Sequence, residues 1–229
     1  MKVLLKSITP NAEVNIVEIA RVSSSRTDKS EKPEGLINYL INNKHWSPFQ
    51  HSYLTFEIVT SKAIGIQLLR HLSFDFQEFS QRYATVEKLE DVEFRKQADK
   101  NRQSSTDVVG ELILSDEPWL IYLDDDMGMN SSVAIDQWMQ NVLDNLKRTM
   151  ELYKEGIELG IAKECARMIL PMCTQTTLYM TGSVRSWIHF LAIRDDPHAQ
   201  KEAQLIAKEI KKLFIQELPI ISKALGYDI

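Results

Sequence analysis

Apolar and polar positions change period several times along this 229-residue chain. The opening "KVLLKSI" reads as a short strand. In "NAEVNIVEIARV", Val14, Val17, Ile19 and Val22 fall at roughly helical intervals, with a strand as the alternative. "EKPEGLINYLINNKHW" predicts a helix, with Pro33 near its start and Leu36, Ile37, Leu40 and Ile41 on one face. "SYLTFEIVTS" alternates Leu54, Phe56 and Ile58 against Thr55 and Glu57, a strand pattern. "KAIGIQLLRHL" returns to helical spacing and delivers Arg70 and His71 at its C-terminal end. Residues 135–157 carry Ile135, Trp138, Val142, Leu146, Met150, Tyr153 and Ile157 at steps of three or four, a long helix. "AKECARMILP" predicts another helix stopped by Pro171, and the threonine-rich "TQTTLYMTG" a strand. "SVRSWIHFLAIR" and "PHAQKEAQLIAKEIKKLF" predict two more helices, the second starting at Pro197.

Between about Ala84 and Asn130 the periodicity weakens. "VEKLEDVEFRKQADKNRQSSTD" and "LDDDMGMNSS" are charged, and the stretch reads as an excursion from the core rather than a separate domain. No repeat, low-complexity tract or Pro/Gly linker marks a boundary. A single α+β domain over residues 1–229, with a mixed helix and sheet core, is the expectation.

Composition narrows the class. With 44% hydrophobic and 26% charged residues the chain is an ordinary globular sequence, and a net charge of −5 argues against a general nucleic-acid coat. Cys165 and Cys173 lie eight residues apart without a CxxC, which suits a reducing compartment and argues against a zinc ribbon. The first apolar run is too short for a signal-peptide core, and no stretch has the length of a membrane span. A soluble, cytoplasmic protein that binds neither nucleic acid nor membrane is expected.

Candidate chemistry is defined first by what is missing. No GxGxxG follows a strand and no GxxxxGK[ST] occurs, so neither common phosphate cradle is present. The pairs His45/His51 and His189/His198 lack persuasive metal spacing, so no metal site is expected. Ser80 and His71 raise a nucleophile and base, but no GxSxG elbow surrounds the serine. What remains is a set of cations on apolar-faced segments. Arg167 sits in "ECARMILP", and Arg185 and His189 lie one turn apart in an otherwise apolar helix that ends in Arg194. Surface ion pairing would explain each alone. Several together would also suit a phosphate-bearing anion, because a buried unpaired cation is costly and guanidinium forks match phosphate.

The ordered motifs resemble those of the flavin-dependent thymidylate synthases (the ThyX family). That family's Arg-His-Arg triplet, seven-residue spacer, serine with a glutamate two before it, and following Arg-Tyr are matched by Arg70, His71, Glu78, Ser80, Arg82 and Tyr83. "HWSPFQH" (45–51), "ECARMILP" and "SVRSWIHFLAIRDDPHAQKE" resemble its other blocks, and "FRKQADKNRQSS" resembles an RxQ…NxQ stretch. Four positions depart from the pattern: Leu72 replaces the triplet's second arginine, Gln77 an asparagine, Gln81 a glycine and Ser183 an asparagine.

The resemblance implies reductive methylation of dUMP to dTMP in a homotetramer whose sites are shared between subunits. It implies FAD as cofactor, held without a Rossmann fold, with NADPH as reductant and methylenetetrahydrofolate as one-carbon donor. Gln67, Arg70, Glu78, Ser80, Gln81, Arg82, Arg167 and Arg194 would line the dUMP site, with Arg194 catalytic. Ser47, Arg70, His71, Leu72, Glu78, Ser183, Arg185 and His189 would meet FAD. Glu78 is expected to orient several arginines. The alternatives are a divergent flavin-dependent enzyme that modifies a pyrimidine nucleotide otherwise, as by hydroxymethylation, and a non-catalytic nucleotide- or flavin-binding relative.

Overall fold

Alternating apolar residues become strands in this chain and three- and four-residue steps become helices, giving an α+β architecture. The computed structural model describes residues 1–23, 33–101, 103–123 and 129–227. In chain order the first elements are β1 (Lys2–Ile8), α1 (Ala12–Ala20), α2 (Pro33–Asn42), β2 (Tyr53–Ser61), α3 (Lys62–Leu68) and β3 (Phe74–Glu78). Three strands follow: β4 (Val92–Gln97), β5 (Ser105–Ile113) and β6 (Leu120–Leu123). The remainder is α4 (Met129–Glu158), α5 (Lys163–Ala166), β7 (Gln175–Ser183), α6 (Val184–Arg194), α7 (Lys201–Glu217) and α8 (Pro219–Ala224).

The chain divides into two compact units, each assembled from discontinuous segments. Unit 1 comprises Met1, Val59–Gln67 and Glu78–Thr177; unit 2 comprises Lys2–Ile58, Leu68–Gln77 and Leu178–Ile229.

A four-stranded sheet runs in the order β1-β2-β7-β3. Within unit 2, Leu54, Phe56, Ile58, Leu178 and Met180 point alternately into the core, where Trp187 and Phe190 of α6 pack. The indole N–H of Trp187 donates to the carbonyl of Leu54 (3.2 Å), so the largest buried ring also satisfies its polar atom. Gly182 has no substitute here, because a Cβ would run into the ring of Phe74. Helices α1, α2, α7 and α8 complete the core with Ile16, Ile37, Ile206, Ile210, Phe214 and Ile221, all fully buried. Each such side chain is worth about 1.5–3 kcal/mol on transfer from water.

Unit 1 contains an antiparallel sheet, β4-β5-β6, with Val92 opposite Leu112 and Phe94 opposite Gly110, and a register shift after Phe94. Helix α4 contributes Met139, Leu143, Leu146, Met150 and Tyr153, alternating four- and three-residue steps on one apolar stripe. At Gly110 an added Cβ would meet the Met139 sulfur and the Tyr122 carbonyl. The Tyr153 hydroxyl accepts from the backbone N–H of Val86 (3.1 Å).

Residues 84–123, expected as an excursion from the core, contain β4, β5 and β6, elements that the weak periodicity did not predict. Three expectations need correction. Helix α3 ends at Leu68, so Arg70 and His71 lie just beyond it, where the His71 N–H closes a turn on the Leu68 carbonyl (3.0 Å). "AKECARMILP" forms one α-turn and a 3-10 turn (Arg167–Ile169), with Met168 and Ile169 exposed rather than core-facing. Helix α7 begins at Lys201, because Asp196 first folds the preceding residues into a turn. Its carboxylate accepts from the His198 N–H (2.8 Å), and its carbonyl accepts from Ala199 (3.0 Å). Arg102 and residues 124–128, within the two charged stretches quoted above, lie outside the described residues.

Candidate active site

In unit 2, helix α6 is positioned by its first residue outside the helix. Ser183 caps it, its buried hydroxyl accepting from the Ser186 N–H (3.2 Å). That capping role occupies a residue expected to meet FAD. The Ser186 hydroxyl donates in turn to the carbonyl of Ser73 (3.1 Å), tying α6 to the segment that carries His71.

At the other end of α6, Arg194 donates from Nε to His71 Nε2 (2.9 Å). Phe190, one turn earlier, meets the imidazole edge-on at 5.0 Å between ring centroids, and Phe74 meets it at 6.3 Å. Burial pushes the His71 pKa down to about 4, helped by the charges of Arg194 and His189. Burial also lowers the Arg194 pKa, with Arg70 adding repulsion. Asp195, next to Arg194 in the chain, is engaged by Lys211 at 2.8 Å. Arg70 is exposed, and no carboxylate among the described residues pairs with it.

Arg185 and His189 face a cleft of about 550 Å3, shared with Trp46, Gln50, Ser73, Ser186, Ile188 and Ala192. That size lies within the ~300–1,000 Å3 of small-molecule sites. Exposed Ser47 follows Trp46 directly at the start of a 3-10 turn (Ser47–Gln50). A guanidinium, an imidazole and an indole on one open cleft can hold a planar, phosphate-bearing group. Leu72 is 96% exposed and so is not a core residue.

In unit 1 the expected residues are held differently. Glu78, at the end of β3, accepts from Lys62 Nζ with both carboxylate oxygens (2.8 and 2.7 Å) and from the Thr176 hydroxyl (2.9 Å). A lysine, not an arginine of the same chain, therefore holds it. Arg82 pairs with Glu164 (3.0 Å), both largely exposed, and Lys163 donates to the Tyr83 carbonyl (3.1 Å). Ser80, Arg82, Tyr83, Lys163 and Glu164 line a cleft of about 390 Å3. Ser80 is exposed, Gln81 is partly buried in the turn after it, and Gln67 lies on α3. Arg167 is partly buried and has no carboxylate partner among the described residues.

Reading the sequence missed Lys62 and Thr176, which the fold brings to Glu78 from 16 and 98 residues away. No local pattern could have signalled them. It also passed over Trp46, although that residue stands inside the quoted "HWSPFQH".

The family profile described as thymidylate synthase complementing protein matches residues 4–220. A probable flavin-dependent thymidylate synthase of Paramecium bursaria Chlorella virus 1 is 42% identical over 218 residues, covering 94% of this chain and 91% of its own length. The flavin-dependent thymidylate synthase of Synechocystis is 40% identical over 212 residues, covering 93% and 88%. Among solved structures, a UMP/dUMP methylase, PolB, from Streptomyces cacaoi bound with 5-Br UMP superposes with a TM-score of 0.72. It is 25% identical, and the match covers 97% of this chain and 92% of that one.

Proposed function

The chain belongs to the thymidylate synthase complementing protein family, the flavin-dependent thymidylate synthases, and from this premise we propose that it converts dUMP to dTMP by reductive methylation. It is a flavin-dependent enzyme of the methyltransferase class. The flavin is FAD, the reductant NADPH and the one-carbon donor methylenetetrahydrofolate. Residues 1–229 act as one family domain in a cytoplasmic homotetramer with sites shared between subunits. The exposure of Leu72 (96%) and Tyr83 (87%) supports surfaces that partner subunits cover. No helix among the described residues is long and apolar enough to cross a membrane.

The observation that carries the reading is the Arg70, His71 and Arg194 cluster, where two guanidinium groups repel and a neutral imidazole accepts from one of them. Such a cluster favours an anion. Methylation at C5 of a uracil requires electron density to build on the ring, and Arg194 beside that ring stabilises the charge more in the transition state than in the ground state. Arg167, Arg70 and Arg82 bind the nucleotide's phosphate side, with Gln67, Ser80 and Gln81 as hydrogen-bonding partners. His71 is committed to Arg194 and so is not a base for Ser80, which acts as a donor to the nucleotide.

The flavin fits the Arg185–His189–Trp46 cleft, with Ser47, Arg70, His71 and Leu72 as further contacts and Ser183 acting through its cap on α6. When bound, it supplies the two-electron reduction that turns a transferred one-carbon unit into a methyl group. Glu78 acts by fixing Lys62. The test is genetic: expression in a thymidine-requiring bacterium that lacks its own thymidylate synthase should permit growth without thymidine. Failure to grow despite soluble, flavin-loaded protein would count against the proposal.

A further inference from the structure

We propose that Glu164 stands in for the substrate's phosphate: its carboxylate holds the Arg82 guanidinium in the free enzyme and releases it when the nucleotide binds. The inference rests on the reading of Arg82 given above. It goes beyond that reading by giving Glu164, to which the reaction assigns no part, a task as a competing anion that sets nucleotide affinity.

The cleft that carries the pair lies wholly within unit 1. One wall is the turn after β3, where the N–H groups of Tyr83 and Ala84 both donate to the Ser80 carbonyl (2.9 Å each). The other is the single turn of α5, closed by the N–H groups of Cys165 and Ala166 on the Ala162 carbonyl (2.8 and 2.9 Å). Two contacts join the walls. Lys163 Nζ donates to the Tyr83 carbonyl (3.1 Å), and the Arg82 side chain donates to Glu164. The Lys163 contact does not depend on Glu164, so the carboxylate can leave without the cleft coming apart.

The form of the Arg82–Glu164 pair suits exchange. Arg82 gives both Nε (3.2 Å) and Nη2 (3.0 Å) to one oxygen, Oε2, instead of one donor to each oxygen as in a parallel fork. The two side chains are 66% and 54% exposed, so water screens the pair and hydrates the carboxylate once it leaves. Glu78 is the contrast: it is half-buried, and Lys62 reaches both of its oxygens. A phosphate monoester carries about two negative charges at neutral pH and three acceptor oxygens. It can therefore take the guanidinium's donors together with the exposed Ser80 hydroxyl, which has no partner among the described residues. A carboxylate left on the same guanidinium would repel it. Each nucleotide bound thus displaces Glu164, and its affinity is lowered by the worth of the pair.

The test measures binding on flavin-loaded, oxidised protein. Calorimetry gives the Kd of dUMP, and of deoxyuridine, which lacks the phosphate, for wild type, Glu164→Gln, Arg82→Ala and the double variant. An exposed ion pair corresponds to about two- to fivefold in an equilibrium. Glu164→Gln should therefore bind dUMP about two- to fivefold more tightly than wild type, with deoxyuridine unchanged. A structural role alone would weaken binding, not tighten it. Glu164→Ala should show the same gain, and it decides the question if the glutamine variant does not hold flavin. In the Arg82→Ala background the gain from Glu164→Gln should vanish. Unchanged or weakened dUMP binding in both Glu164 variants would overturn the proposal. A gain that persists without Arg82, or that extends equally to deoxyuridine, would overturn it too. Wild-type dUMP affinity in Arg82→Ala would instead overturn the reading of Arg82 on which it rests.

Discussion

Arg194 in unit 2 and Lys62 in unit 1 are both half-buried cations, yet a neutral imidazole anchors the first and a carboxylate grips the second with both oxygens. Around Lys62 the charges close on themselves: Glu78 takes the ammonium and the Thr176 hydroxyl. Beside Arg194, Arg70 adds a second positive charge and the adjacent Asp195 is drawn to Lys211. A lysine gripped by a carboxylate maintains local structure, whereas two cations brought close are suited to an anionic ligand. The difference divides the expected site residues into holders of structure and holders of charge.

The largest effect should come from breaking the open cluster. Losing a charge-assisted hydrogen bond costs about 1.5–3 kcal/mol, or roughly ten- to a hundredfold. Arg194→Ala should lower kcat by about a hundredfold while weakening dUMP binding less, and Arg167→Ala should weaken dUMP binding about ten- to a hundredfold. Steady-state kinetics with calorimetric Kd values separate these. Equal, small changes in kcat and Kd for Arg194→Ala would move that residue among the holders of structure. The closed pair should respond in the opposite sense. Lys62→Met leaves the Glu78 carboxylate with Thr176 alone and should cost about 1–3 kcal/mol of stability by chemical denaturation. The direct effect on dUMP affinity should be smaller than that of Arg167→Ala.

Acid should reveal the neutral anchor. The His71 pKa is held at about 4, below its ordinary 6.5, so between those values the unfolded chain binds a proton that the folded chain excludes. Its stabilising contribution is therefore complete above pH 6.5, declines as the pH falls towards 4 and is exhausted below that. Discounted for partial solvent exposure, the change is about 1–2 kcal/mol. Denaturation across that window should show the slope in wild type and not in His71→Gln. The smallest expected effect is at the edge of the cleft. Leu72→Arg should tighten FAD by up to about tenfold through one new charged contact. With Leu72 96% exposed, the melting temperature should barely move; a sharp fall would mean that the leucine is packed in the assembled protein.

Much of this was legible in the residues because the signals were local. The Leu54, Phe56 and Ile58 alternation and the stripe from Ile135 to Ile157 each became the expected element. The β4–β6 sheet was not legible. Its alternation of Val92 and Phe94 against Glu93 and Arg95 is short, breaks at a register shift and is surrounded by charge. "MILP" misled for the opposite reason: its apolar residues include exposed Met168 and Ile169, so hydrophobicity there does not mark a core. In the site, Arg185 and His189 were readable from helical spacing and do share one cleft. The Arg194–His71 bond spans 123 residues and the Lys62–Glu78 pair joins α3 to the end of β3, and only the fold brings either together.

The central claim, flavin-dependent methylation of dUMP, is tested most directly by the mass of the nucleotide product. The purified protein should be supplied with FAD, NADPH, methylenetetrahydrofolate and dUMP. The account predicts dTMP, formed only when FAD and the folate are both present. Unchanged dUMP, or a hydroxymethylated nucleotide in place of dTMP, would contradict it.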